Sequence, residues 1–230
     1  MQKVTTTAAG VLRNYYILSP AMPESRPKTL FFFKGKGGDL LKLERVFKPF
    51  CDKYNFRMIF PEAQKVGKTK LFDIEAPVMD VMFVDEIMKT EGILHSDLRI
   101  SGVSNGGCFA LFLTTMGYPK KVVTFAASIW DETWGDISLG GCDLRAYHGQ
   151  DDTSVPYNGG PAHGVTFLSA LQSLSALLPG KPITLSKGAV RDKYEITDGI
   201  DSAILYSYPL VGHEVFGVVD LNEVFTFLNS

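Results

Sequence analysis

Ser104 stands out because of its neighbours. It sits in Gly102-Val103-Ser104-Asn105-Gly106, a G-x-S-x-G pentapeptide. An apolar strand-like segment, 98–101, runs into it, and an apolar helix-like segment, 108–116, leaves it. A serine at a sharp strand-to-helix turn projects its hydroxyl above the sheet. The residues two before and two after it approach each other closely, so glycine at 102 and 106 removes side chains that would clash. The helix beneath it aims unpaired backbone N–H groups at developing negative charge. The chemistry this suits is acyl transfer through a nucleophilic serine.

A serine hydroxyl is a poor nucleophile at neutral pH and needs an adjacent base. His213, in Val211-Gly212-His213-Glu214, follows the last apolar strand segment, 203–208. It therefore falls in a loop at the carboxyl edge of the sheet, on the same side as Ser104. His163 lies near the start of a predicted helix, 160–178, and is disfavoured for that reason. The acid should come from Tyr147-His148-Gly149-Gln150-Asp151-Asp152, directly after a strand. A carboxylate there would hold the imidazole in its working tautomer. Spacing does not choose between Asp151 and Asp152. His148 is expected to fix this loop rather than act as a second base.

Acyl transfer also needs donors for the tetrahedral oxyanion. The Asn105 N–H, next after the nucleophile, is one. The other is expected from Lys34-Gly35-Lys36-Gly37-Gly38, and the Lys36 N–H is nominated. A phosphate-binding reading of this loop fails. It has neither the G-x-x-x-x-G-K-[ST] spacing nor G-x-G-x-x-G, since its glycines are at 35, 37 and 38 and position 40 is leucine. Lys34 and Lys36 would favour an anionic group if their ammonium groups face the site.

These residues must be positioned by strands alternating with helices, the pattern of a mostly parallel sheet covered on both faces. Residues 2–7 and 14–18 read as an opening hairpin about Ala9-Gly10, and 29–33 as a strand buried on both faces. Residues 40–54 form an amphipathic helix in which Pro49 predicts a kink or early end. Then follow a strand at 56–60, an irregular lysine-rich stretch at 61–76 and a helix at 77–90. Later come strands at 122–126 and 144–147, a strand pair within 183–196, and a final helix at 218–228. About sixteen residues separate the strand ending at Ala126 from the one starting near Asp143. That is too short for a helical lid domain, so an open, shallow site is expected. Trp130 and Trp134 lie in this segment and could wall a substrate pocket.

At 230 residues, with 45% hydrophobic and 21% charged, the chain suits one globular α/β domain, 1–230. A formal charge of −2 gives no electrostatic footprint for nucleic acid. Cys51, Cys108 and Cys142 are scattered and read as buried free thiols. No residue cluster suggests a metal, so acyl transfer would need no cofactor. Residues 1–7 lack the apolar core of a signal peptide, and no apolar run has the ~18 residues of a membrane span. The expectation is a cytoplasmic chain without membrane contact; a chain whose leader had been removed would look the same.

Several of these segments together resemble one family over nearly the whole chain: compact esterases of the α/β-hydrolase fold related to polyhydroxybutyrate depolymerases and feruloyl esterases. The family's Gly-x-Ser-Asn-Gly-Gly elbow is matched at 102–107. Its His-Gly-x-x-Asp-x-x-Val-Pro-Tyr segment is matched at 148–157, and Asn158-Gly159-Gly160 continues it. Its Gly-His after the last strand falls on Gly212-His213, and Asp80–Val84 is similar to its Asp-Val-x-Phe-Val helix. The resemblance puts the acid on Asp152. It implies a serine ester hydrolase acting on a small-molecule or polysaccharide-linked ester, feruloyl, acetyl or short hydroxyalkanoate. The chain departs from the family at Lys34, where histidine is usual, and at Glu214-Val215-Phe216, where Thr-Trp-Pro is usual. The alternatives are a serine peptidase of the same fold and a binding protein on an inactive scaffold. Retention of Ser, Asp and His in the right order argues against the second.

Overall fold

A computed structural model describes residues 1–23, 26–130 and 137–230. The chain opens with β1 (Gln2–Ala8) and β2 (Val11–Leu18), an antiparallel hairpin. Ala9 and Gly10, both at positive φ (49° and 78°), turn it as their sequence suggests. Next come β3 (Lys28–Phe33), α1 (Leu40–Tyr54), β4 (Phe56–Pro61), a small hairpin β5 (Gln64–Val66) and β6 (Thr69–Leu71), and α2 (Val78–Glu91). The elbow lies between β7 (Leu98–Val103) and α3 (Asn105–Thr115). The rest is β8 (Lys121–Phe125), β9 (Asp143–Gly149), β10 (Gly160–Ala162), β11 (Val165–Phe167), α4 (Ala170–Leu177), β12 (Thr184–Ser186), β13 (Asp192–Thr197), β14 (Ser202–Tyr208) and α5 (Leu221–Asn229).

Ten strands form one sheet in the order β1-β2-β4-β3-β7-β8-β9-β14-β13-β12. The central six, β4 to β14, are parallel, and antiparallel strands flank them on both edges. The apolar run of β3 explains its central place. Leu30 and Phe32 pack in one core layer with Phe47 of α1 and Phe225 of α5, while Phe31 and Phe33 pack in the other with Phe83 of α2 and Phe109 of α3. Both faces are therefore covered, as a parallel sheet requires. Among the described residues no helix is long and apolar enough to cross a membrane. Cys51, Cys108 and Cys142 are buried free thiols.

Three local expectations change. Pro49 does not end α1, which runs on to Tyr54 because Phe47 and Cys51 are buried on either side of the proline; Asn55, left-handed at φ 53°, closes the helix. The stretch 61–76 is not wholly irregular, since it contains the β5–β6 hairpin. The helix expected over 160–178 is instead the β10–β11 hairpin followed by α4 alone. Gly159, Gly160, His163 and Gly164 all have positive φ, which a helix forbids. The helix starts only where Ser169 and Gln172 form a reciprocal capping box.

Candidate active site

Ser104 has φ 55° and ψ −128°, a backbone conformation unfavourable for a residue with a side chain. Its N–H donates to the Phe125 carbonyl of β8 (2.9 Å), and the Cys108 N–H donates to its carbonyl (2.9 Å), so strand and helix hold the turn from both ends. Glycine is required around it. A Cβ at Gly102 would lie 2.3 Å from the Gly106 oxygen, and one at Gly106 would lie 2.2 Å from the Phe33 oxygen. Gly106 thus lets the elbow rest directly on the end of β3.

The three residues nominated from sequence meet. His213, in the loop after β14, lies with Nε2 2.9 Å from Ser104 Oγ and Nδ1 2.9 Å from Asp152 Oδ2. A carboxylate only accepts, so Nδ1 carries the proton and Nε2 accepts from the serine hydroxyl. The hydrogen bond with Asp152 raises the His213 pKa above its ordinary value, against an opposing effect of burial. Asp152 follows β9 and is 3% exposed, whereas its neighbour Asp151 faces solvent. Burial opposes ionisation of Asp152, but hydrogen bonds from His148 and His213 outweigh it and hold the carboxyl well below the usual range. Its other oxygen, Oδ1, accepts the N–H groups of Ser154 (2.8 Å) and Val155 (3.0 Å). A Cβ at Gly149 would sit 2.2 Å from the Val211 oxygen, so glycine there lets the acid and histidine loops touch.

His148 is buried beneath this loop, as a residue fixing it should be. Its Nε2 lies 2.9 Å from the Val155 oxygen and 3.2 Å from Asp152 Oδ2. Both are acceptors, so Nε2 carries the proton.

Above Ser104 is a cavity of about 660 Å³, lined by Lys36, Asn105, Phe72, Val155, Phe167 and His213 among others. Among the described residues, the backbone N–H groups of Lys36 and Asn105 have no hydrogen-bond partner within the protein and are free to face a bound group. A Cβ at Gly35 would lie 3.2 Å from the Ser104 Cβ, so the Lys34–Gly38 turn is packed against the nucleophile. Lys36 lines the cavity. Lys34 does not; it is 8% exposed, and burial lowers its pKa against the nearby Glu62 carboxylate. Cys108 also lines the cavity, but burial pushes its thiol up to about 12, so it is no thiolate at neutral pH. Among the described residues no group of three or more His, Cys, Asp or Glu is placed to hold a metal ion.

The expected pocket-wall role of Trp130 is corrected. Its side chain is buried in the core, 2% exposed, and its backbone bridges Phe167. Phe167, not Trp130, reaches the cavity. Trp134 lies outside the described residues. The site is also a cavity rather than the shallow surface expected, and the described residues supply two of its walls. One wall runs from Leu71, at the end of β6, to Glu75. The other is the acid loop and the β10–β11 hairpin, including Ser154, His163 and Val165. His163 is in the hairpin turn, within 3.2 Å of Ser154 Oγ. The run Gly159-Gly160-Pro161 with His163-Gly164 was the sequence signal for this hairpin.

The parallel sheet, elbow, acid loop and histidine loop define the α/β-hydrolase fold, without a large lid domain among the described residues. No protein-family model and no curated protein matches the sequence. The chain is similar in structure to an acetyl xylan esterase from Aspergillus awamori, with TM-score 0.69 and 11% identity, covering 99% of each chain. It is also similar to a carboxylesterase from Bacillus cereus (TM-score 0.62, 14% identity, 94% of this chain and 92% of that one). A third similar structure is a lid-less α/β serine hydrolase from Xanthomonas campestris (TM-score 0.61, 14% identity, 99% and 91%). At such identities the likeness establishes the fold, and function must be argued from the site.

Proposed function

We propose that this chain is a serine carboxylic ester hydrolase working through an acyl-enzyme. The observation that carries the reading is the continuous hydrogen-bonded line Ser104–His213–Asp152 at a strained elbow. In this reading His213 Nε2 takes the Ser104 proton as Oγ forms a bond to the ester carbonyl carbon. The imidazolium so formed keeps its Nδ1–H on the Asp152 carboxylate. The carbonyl oxygen becomes an oxyanion and accepts from the Lys36 and Asn105 N–H groups. Collapse breaks the bond to the leaving alkoxide, which leaves with the proton from His213. Water then attacks the acyl-enzyme, again giving its proton to His213, and Ser104 recovers a proton as the carboxylic acid departs.

The leading substrates are feruloyl, acetyl and short hydroxyalkanoate esters. The apolar side chains of Leu71, Phe72, Ile74, Val165 and Phe167 in the cavity support an acyl or aryl group of appreciable size. The test is hydrolysis of p-nitrophenyl acetate and of a panel of these three ester classes by the wild-type protein and by Ser104→Ala. Turnover that disappears with Ser104 supports the reading. A folded wild-type protein that hydrolyses none of them contradicts it.

A further inference from the structure

The Asn105 side chain has a task that the backbone donor at the same residue does not explain. The Phe72 N–H donates to its Oδ1 at 2.9 Å, and its Nδ2 donates to the Phe72 carbonyl at 2.9 Å. A primary amide offers acceptor and donor side by side, as a neighbouring strand would. Phe72 lies just past the end of β6, where the ladder with β5 has stopped. The Phe72 ring stacks flat on Phe109 of α3 (5.0 Å, 3°) and edge-on against Phe33 of β3 (5.2 Å, 87°).

The next residue is tied elsewhere. The Asp73 N–H donates to Asp80 Oδ2 at 2.8 Å, and Arg13 Nη2 donates to Asp80 Oδ1 at 2.6 Å. Asp80, from the segment similar to Asp-Val-x-Phe-Val, is thus the tie to the scaffold, while Asn105 is the tie to the nucleophile's own turn. Between them they hold the cavity wall 71–75.

We propose that the Asn105 side chain is a positioning residue that sets substrate-size selectivity, by keeping Phe72 and the wall behind it in register with Ser104. The proposal rests on the esterase reading above. An acetyl group fills little of the cavity and barely meets this wall. A long acyl chain or a bulky alcohol leans on it. Losing the tie therefore penalises large substrates more than small ones.

The test uses Asn105→Leu, similar in size but unable to hydrogen-bond, and Asn105→Asp. kcat/KM is measured for p-nitrophenyl esters from acetyl to octanoyl, and for acetyl esters of small and bulky alcohols, from mildly acid to neutral pH. Each large-to-small ratio is divided by the wild-type ratio at the same pH. This removes effects that act alike on large and small substrates, the ionisation of His213 among them. For Asn105→Leu the ratio should fall about tenfold in at least one series, the effect of losing the net worth of a hydrogen bond. For Asn105→Asp it should fall likewise at neutral pH, where a carboxylate cannot donate to the Phe72 carbonyl. Unchanged ratios or equal loss on all substrates would overturn the proposal. If Asn105→Leu does not fold, the ratios of Asn105→Asp at neutral pH decide alone. A wild-type protein that turns over no ester at all refutes the esterase reading, and this proposal with it.

Discussion

His148 and Asp152 are paired through one oxygen: the His148 Nε2 lies 3.2 Å from Asp152 Oδ2, the same atom that receives the His213 Nδ1–H at 2.9 Å. One buried carboxylate thus sits between two imidazoles, and its second oxygen is filled by two backbone N–H groups. The arrangement keeps the carboxylate ionised and fixes which of its oxygens faces His213.

His148→Phe would retain an aromatic ring of similar breadth against Tyr157 but remove the donor to Asp152 and Val155. It should destabilise the fold by about 1–3 kcal/mol, since a buried acceptor is left short of a partner. It should also lower kcat, because Asp152 is then less firmly placed. Urea denaturation monitored by Trp fluorescence measures the first effect. An unchanged midpoint would show that His148 does not support the acid loop.

Asp152 and Asp151 should separate cleanly. Asp152→Asn should lower kcat by about 10³–10⁴, the effect of placing the imidazole in the wrong tautomer and losing the charge opposite the imidazolium. Asp151→Asn, at an exposed position, should stay within a few-fold of wild type. The pH profile follows the same logic. His213 has a raised pKa, and only its neutral form can take the serine proton. Wild-type kcat/KM should therefore climb with pH through a midpoint above the ordinary imidazole value of about 6.5. In Asp152→Asn that midpoint should move to lower pH. Equal, mild losses in the two variants would mean that Asp152 is not the orienting acid.

Arg13 and Asp80 form a buried ion pair far from the elbow in sequence but one residue removed from the cavity wall. Burial raises the Asp80 pKa and lowers that of Arg13, each against the attraction of the other, so both charges depend on the pairing. Asp80→Ala leaves the buried Arg13 without its carboxylate, held only by the Met79 and Glu62 carbonyls and the Phe83 ring, and should cost about 3 kcal/mol. Thermal unfolding of the variant should show it, together with a weakened preference for large substrates; a stability equal to wild type would contradict the ledger of contacts at Asp80.

The most legible parts of this protein were those where backbone geometry limits residue choice. The glycines at 102 and 106 mark a turn where a Cβ cannot fit, and the run Leu30–Phe33 marks a strand covered on both sides. The chain order of Ser104, Asp152 and His213 follows from strand ends that share one edge of the sheet. The cavity walls were less legible. Phe72 reaches the site through a side-chain amide from Asn105, a long-range pairing with no local pattern. The β10–β11 hairpin was hidden by apolar residues that continue into α4, although its glycines and the Ser169–Gln172 capping box were visible. Trp130 looked like a wall because of its place between two strands, but its side chain lies in the core, and Phe167, itself buried, is the neighbour that borders the cavity.

The most direct measurement is covalent labelling of the native protein with a fluorophosphonate, followed by intact-mass and peptide mass spectrometry, beside Ser104→Ala and His213→Ala. One adduct per chain, mapped to Ser104, absent in Ser104→Ala and strongly slowed in His213→Ala, is the predicted result. A folded protein that takes up no label, or that is labelled equally after Ser104→Ala, would contradict the assignment of Ser104 as the nucleophile.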